Sequence, residues 1–417
     1  MSNVLIVYEM LEPCGIEMIR MAKLLEKQDK IFFRDKLIRY LEPEDICWCD
    51  IIISVRSTSF FEWGLAKYCH SIGKYWILIL DDDFLGLNNE YGKDGEGYWS
   101  LRQKYLKKIL QYIDCLLVVN PLLAQKYIEF CNSKRYVVTN TIIEREEIAN
   151  LQYNNNAISN KVKIVLYVND GTLDMFNKII KPVVKILSAQ YNGKISLYFL
   201  GLKPDLEEYT QQLDIHYVPH MVYSDFKKYM IKENFDIGLA PLESQGFSTY
   251  KYFNKYIEYT VAGIPGIYSN CKLYNQVIIN EYNGILCNNT PEEWYFSIKQ
   301  YIESCHLRKV CIENAQKHIY KNFSSDIVLN KLVKDVPELG SFKAPTVNPL
   351  KTKIILYLIK FGYYIFRLLG WLRIISVYVK NRNVKGLVNR FREKFLKKII
   401  IRVKKNKRLQ LMMLKFG

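Results

Sequence analysis

Two α/β lobes in tandem, each a Rossmann-like, doubly wound parallel sheet, with a basic amphipathic helical tail after them, are the architecture this sequence predicts. Three observations carry it. Short apolar runs recur along the chain and are near-continuous rather than alternating, as expected of parallel strands buried on both faces. Helical stretches with apolar residues at helical spacing separate them, the alternation that builds a doubly wound sheet. An Asn-rich segment, ANLQYNNNAISNK, interrupts the series once and reads as a linker. At 417 residues the chain exceeds what one core usually fills, so two domains are expected.

In order, the first series is NVLIVY (3–8), KIFF (30–33), DIIISV (50–55), YWILIL (75–80), DCLLVV (114–119) and RYVVT (135–139). Helices such as GIEMIRMAKLLEK lie between them. The second series is VKIVLYV (162–168), KISLYFLG (194–201), IHYVPH (215–220), FDIGLAPL (235–242), GIPGIYSN (263–270) and NGILC (283–287). The expected boundaries are a first lobe over 1–150, a linker over 151–160, a second lobe over 161–340 and a tail over 341–417. Two such lobes leave a cleft between them, where ligands of open parallel sheets bind.

Charge divides the chain unevenly. From Lys351 to the C-terminus there are 19 Lys and Arg against one acid, Glu393, whereas the first 350 residues are nearly neutral. KTKIILYLIKFGYYIFRLLGWLRIISVYVK never goes more than six residues without a cation, which makes a poor spanning helix. Further on, Val384, Leu387, Val388, Phe391, Phe395 and Ile399 keep helical spacing among Arg and Lys. A basic amphipathic helix suits the surface of an anionic membrane, whereas so much Ile, Leu, Phe and Tyr is unlike a nucleic-acid-binding tail. No charged, apolar leader opens the chain, and the ten cysteines are scattered without a C-x-x-C pair. A reduced, cytoplasmic setting is therefore expected, with peripheral attachment to the inner face of the cell membrane.

The stretch KYFNKYIEYTVAGIPG (251–266) carries the most specific chemistry. Read as a helix starting near Ser248, it puts Lys251, Lys255 and Glu258 within about 60° of one another, opposite Phe253, Tyr256, Ile257 and Thr260. A solvated i, i+3 pair is the plain reading of Lys255 and Glu258. The functional one comes from position: the segment follows the strand at 235–242, at a carboxyl-end loop, where cations suit a phosphate and a carboxylate suits a ribose or sugar diol.

The longer string APLESQGFSTYKYFNKYIEYTVAGIPGIYSN (240–270) resembles the donor-site segment of two-lobed glycosyltransferases of the GT-B fold. The likeness is greatest to family 4, "glycosyl transferases group 1", of bacterial surface-polysaccharide assembly. The N-K-x-x-E core Asn254–Glu258, the acidic loop APLE and the A-G-x-P turn Ala262–Pro265 carry it, and NEYNGILCNNTPEEWYFSIKQYI (280–302) extends it. It covers 160–330 well, 1–150 weakly and the tail not at all. The resemblance implies transfer of a sugar, with retention, from a UDP- or GDP-type nucleotide sugar to a lipid-linked or surface-polysaccharide glycan. It implies that Glu258 binds the ribose and that Lys255 or Lys251 holds the diphosphate and stabilises its departing charge. Asn169, Gly171 and Thr172, after the second lobe's first strand, hold the family's phosphate-approach position, and Gly15 in Pro13-Cys14-Gly15 approaches the phosphates from the first lobe. Many members carry E-x7-E, whose first glutamate contacts the donor sugar; here that position is Tyr250, which leaves the sugar to Lys251 or to Glu243.

In the first lobe LILDDDFLGL (78–87) runs from a strand directly into Asp81, Asp82 and Asp83, where family members often have a histidine. Three adjacent acids cannot all be buried charged. One of them orients or deprotonates the acceptor hydroxyl, or all three are solvated loop acids; a metal-binding D-x-D is a third reading, discounted because such sites belong to the other glycosyltransferase fold. The loop NNEYGKDGEGYWS (88–100) offers glycines and aromatics, either as a mobile acceptor-binding loop or as plain surface. No cofactor or metal is expected: the nucleotide sugar is a substrate, and the five histidines have no ligand spacing. Two other functions fit the same lobes, a nucleotide-sugar epimerase or phosphorylase and a non-catalytic scaffold.

Overall fold

The computed structural model describes residues 1–87, 92–149, 161–169 and 171–380. The expected linker at 151–160 and the amphipathic pattern at 384–399 lie outside the described residues. The first sheet contains β1 (Ser2–Tyr8), β2 (Ile31–Leu37), β3 (Ile51–Val55), β4 (Tyr75–Leu80), β5 (Cys115–Val118) and β6 (Tyr136–Val138), in the order β2-β1-β3-β4-β5-β6. The second contains β7 (Val162–Val168), β8 (Ile195–Gly201), β9 (Asp214–Val218), β10 (Ile237–Ala240), β11 (Gly266–Ser269) and β12 (Ile285–Cys287), in the order β12-β11-β10-β7-β8-β9. Every pairing is parallel. Each of the twelve apolar runs is a strand. The order reverses direction between β1 and β3 in one sheet and between β7 and β10 in the other, so the switch points of both lobes open at their carboxyl edges.

Helices cover both faces of each sheet. In the first lobe these are α1 (Pro13–Lys27), α2 (Pro43–Trp48), α3 (Phe60–Ser71), α4 (Gly92–Ile109) and α5 (Pro121–Tyr127). Most of the segment expected to be a loop over 88–100 is thus the start of α4. Pro at the first turn and a β-region cap start α1, and Ser59 with Glu62 closes a capping box on α3. The second lobe carries α6 (Lys181–Gln190), α7 (Tyr223–Glu233), α8 (Asn254–Val261), α9 (Pro291–Glu303) and α10 (Cys305–Phe323).

After α10 the chain returns to the first lobe. On α11 (Ser325–Asp335) and α12 (Glu338–Ser341), Val328, Leu329, Leu332 and Leu339 join the core formed by Val4, Ile6, Met18 and Ile51. Arg135 pairs with Glu338, and Lys343 with Asp50 at 2.9 Å. The boundary expected at 340 therefore differs from the packing, which ends the second lobe with α10. A long last helix, α13 (Pro349–Lys380), lies along α2, α3 and α4. Thr352, Leu356, Ile359, Tyr363 and Phe366 are buried against the first lobe. The approach is close: a Cβ on Gly362 would stand 2.2 Å from the Phe60 ring.

Candidate active site

Lys255 and Glu258 lie one turn apart at the start of α8 and are paired, Nζ to Oε2, at 2.7 Å. Both are largely shielded, with side-chain exposures of 26% and 14%. Their helix starts late. Gly246, with φ +73°, opens a short 3-10 turn over Gly246–Tyr250, Lys251 is extended, and helical hydrogen bonding resumes only at Asn254. The expected helix from Ser248 is therefore replaced by two separate turns, and Lys251 does not ride on the stripe of Lys255 and Glu258. The cause lies in the other lobe. Phe247 and Tyr250 pack against the first lobe's core, and Asn120 Nδ2 donates to the carbonyls of Thr249 and Lys251 at 3.2 and 2.8 Å.

Glu258 stands where two cavities meet. One, of about 400 Å³, lies within the second lobe and is walled by Tyr167, His220, Tyr223, Phe226 and Lys255. Lys255 Nζ sits 4.6 Å from the Tyr167 ring centre and 5.1 Å from that of Phe226. Tyr167 Oη is 3.0 Å from His220 Nδ1. Burial, then the nearby Glu258 charge, raises the Tyr167 phenol above its ordinary range, so it stays a neutral hydrogen-bonding group. The other cavity, of about 460 Å³, lies between the lobes. Cys14, Arg56, Asp81 and Asp82 face Lys251, Asn254 and Glu258 across it.

The three aspartates after β4 have three different environments. Asp81 is held by Arg56, whose Nε donates to Oδ1 at 2.6 Å and whose NH2 reaches Oδ2. Arg56 follows β3 in the left-handed region, φ +54°, a conformation costing about 1–2 kcal/mol that the hydrogen bond from its backbone N–H to Ile79 O and this ion pair offset. Asp83 is buried at 2% exposure, 2.5 Å from Lys126 Nζ, and accepts from Tyr127 Oη at 3.0 Å and Gly86 N at 3.2 Å. Asp82 has only a distant cation, Arg56 at 3.9 Å, and lines the cleft. Burial, then the Asp81 charge, pushes its carboxyl up to about 7, against the pull of Arg56 and Lys251. Asp82 thus combines a face on the cleft with a carboxyl poised near neutrality.

Other expected residues are placed elsewhere. Asn169 and Thr172 close a turn on themselves, Thr172 Oγ1 accepting from Asn169 N at 2.9 Å; they and Gly171 line neither cavity. Gly15 lies behind Cys14 against Leu11, so Pro13 and Cys14 form the wall instead. Glu243 is exposed and outside both cavities. Tyr250 lies 4.5 Å from Lys126 Nζ, ring over cation, and lines a separate open groove of about 690 Å³ with Asp83, Gln245 and Asn270. Its contact is to the first lobe, where the family's glutamate contacts the donor sugar. Sequence reasoning did not single out Arg56, Asn120, Lys126 or the Tyr167–His220 pair. Only Arg56 carried a local signal, a cation immediately after a buried strand. Among the described residues no cluster of three or more His, Cys, Asp or Glu is placed to hold a metal ion.

No model of a known family matches the chain. No curated protein matches it in sequence. Solved structures do match. Anabaena Alr3699/HepE, crystallised in complex with UDP and glucose, superposes with a TM-score of 0.57 at 10% identity over 81% of this chain and all of its own. Sucrose-phosphate synthase from Thermosynechococcus elongatus gives 0.57 at 11% identity over 81% of this chain and 99% of its own. WaaG, a glycosyltransferase involved in lipopolysaccharide biosynthesis, gives 0.54 at 12% identity over the same shares. At these identities the likeness is one of architecture, and it agrees with the two sheets and the cleft: the chain has the GT-B glycosyltransferase fold.

Proposed function

We propose that this protein is a glycosyltransferase that moves a sugar, with retention, from a UDP- or GDP-type nucleotide sugar to a lipid-linked or surface-polysaccharide glycan at the cytoplasmic face of the membrane. The observation that carries the reading is the Lys255–Glu258 pair at the junction of the two cavities. The aromatic cavity of the second lobe suits a nucleoside, with Glu258 accepting hydrogen bonds from the ribose diol. Lys255, released from Glu258 by the ligand, and Lys251 face the diphosphate and neutralise the charge that grows as it departs. The sugar then extends into the cavity bordered by Asp82, which takes the proton of the attacking hydroxyl, as its carboxyl near 7 allows. Asp81, committed to Arg56, fixes the strand end that aims Asp82. Retention rests on the family resemblance. The lipid-linked acceptor rests on that resemblance and on the basic tail.

Purified protein, given a panel of nucleotide sugars and a membrane lipid extract, is expected to release nucleoside diphosphate and transfer the sugar. Glu258→Ala should abolish both. No release from any donor, or full activity in Glu258→Ala, would overturn the assignment. Isomerised sugar nucleotide without transfer would identify an epimerase. Thermal stabilisation by one donor class would name the nucleotide.

A further inference from the structure

α13 presents two opposite apolar faces, and only one of them is covered. Among the described residues it is the one helix whose first part, Pro349–Leu372, is long and apolar enough to cross a membrane, despite the cations that made it a poor candidate by sequence. Its buried face binds it to the first lobe from Thr352, 2.7 Å from Tyr68 Oη, to Tyr363, whose hydroxyl donates to Glu9 at 3.0 Å. At about 100° per residue, Leu350, Ile354, Leu358, Phe361, Leu368 and Leu372 fall on the opposite side of the helix. They are 52–67% exposed. Lys353, Lys360 and Arg367 run along one flank between the two faces; Lys353 and Arg367 are exposed, whereas Lys360 is half-buried, 4.0 Å from Glu42 of the first lobe. Single exposed apolar residues are ordinary, but a continuous stripe of them along about 33 Å of helix marks a docking surface.

We infer that this stripe lies in the plane of an anionic bilayer, with its apolar residues among the lipid chains and the exposed Lys353 and Arg367 at the phosphates. The occupant follows from charge: cations flank the stripe, and 13 more Lys and Arg follow in residues 381–417 against one acid. A spanning orientation would carry the lobe face, with its Glu9–Tyr363 bond and charged helices, into the hydrocarbon. The inference deepens the membrane part of the proposed function, and its readout needs no catalysis, so either can fail without the other.

The test is flotation of the full chain with vesicles of phosphatidylcholine alone and with phosphatidylglycerol added. Binding is expected to be at least tenfold stronger to the anionic vesicles and to be removed by alkaline carbonate. Leu358→Asp/Phe361→Asp, both on the exposed face, should weaken binding at least tenfold while leaving the melting temperature unchanged. Unchanged binding by this variant would show that the tail alone holds the membrane and would overturn the inference. Resistance to carbonate, the mark of a spanning helix, would overturn it too. So would a vesicle-free dimer that the double variant converts to monomer, since the stripe would then face a second copy of the chain. A variant with a lowered melting temperature is replaced by Leu368→Gln/Leu372→Gln, judged by the same outcomes.

Discussion

The two lobes bring different kinds of charge to the cleft. On the first lobe two of the three carboxylates after β4 are tied to partners drawn from distant parts of the same lobe: Arg56 holds Asp81, and Lys126 with Tyr127 holds Asp83. On the second, Lys255 and Glu258 hold one another, a turn apart, at the mouth of both cavities. A network anchored in the fold is rigid and expensive to alter. A local i, i+3 pair is worth only a few tenths of a kcal/mol and can be exchanged for ligand contacts. The contrast assigns positioning to the tied carboxylates Asp81 and Asp83 of the first lobe and ligand exchange to the pair of the second, with Asp82 left free for chemistry. Substitutions at the tied carboxylates should damage stability, and substitutions at the exchangeable pair should damage catalysis.

The largest effect should follow loss of the exchangeable cation. Lys255→Ala is expected to lower kcat/KM about 10³-fold, the upper range for removing one group that stabilises developing negative charge, with the urea midpoint almost unmoved. A large fall in stability instead would make the pair structural and erase the contrast. Next comes Asp83→Ala, which leaves Lys126 and Tyr127 without their shared acceptor. Leaving the buried Tyr127 hydroxyl without its acceptor and the half-exposed Lys126 without its partner costs about 3 kcal/mol, read as a lower urea midpoint at constant slope. An unchanged midpoint would show that the first-lobe network stabilises nothing.

These partners also show how far the sequence was legible. The central strands could be read because a strand buried on both faces leaves an apolar run that needs no distant information. The half-exposed edge strands β2, β6 and β9 still keep short Ile, Val, Phe or Tyr runs. Lys255 and Glu258 could be paired because i, i+3 neighbours meet on any helix. Lys251 could not be placed. The break at Gly246–Tyr250 exists because Phe247 and Tyr250 dock on the other lobe, a contact across more than a hundred residues. The three aspartates look alike in sequence because Arg56 and Lys126 lie 25 and 43 positions away from them. On α13 the sequence shows apolar runs threaded with cations, yet one face is consumed by the first lobe, which only the packed structure separates from the other.

Asp82 comes next in size, and its test is the pH profile. If it takes the acceptor's proton, kcat/KM rises with pH through about 7 as the carboxyl ionises, and Asp82→Asn lowers the plateau about 10²-fold and flattens the rise. The stability signature has the opposite sense. A carboxyl raised in the folded state binds its proton more tightly there than in the unfolded chain, so stability falls as pH rises from about 4 to about 7. Buried Glu62, raised to about 7 by burial and then by the Glu9 charge, adds a fall of the same sign over the same range. The informative quantity is therefore the difference between the wild-type curve and that of Asp82→Asn. Coincident slopes would place the Asp82 carboxyl at an ordinary value and remove it from proton transfer.

The smallest effect belongs to Tyr250, which bridges the two kinds of charge. Its ring lies over the same Lys126 that holds Asp83, and its neighbours Thr249 and Lys251 bond to Asn120. Truncation to Ala removes one cation–ring contact and a little packing, for a loss of about 1 kcal/mol in unfolding free energy. Phe keeps the ring and should be close to neutral. Glu is the sharper probe, because it restores the carboxylate of the family's donor-sugar position but sets it against Lys126 in competition with Asp83. Tyr250→Glu should therefore destabilise at least as much as Tyr250→Ala. A neutral or stabilising Glu would mean that Lys126 can serve two carboxylates, and that the first lobe's edge is as exchangeable as the second's.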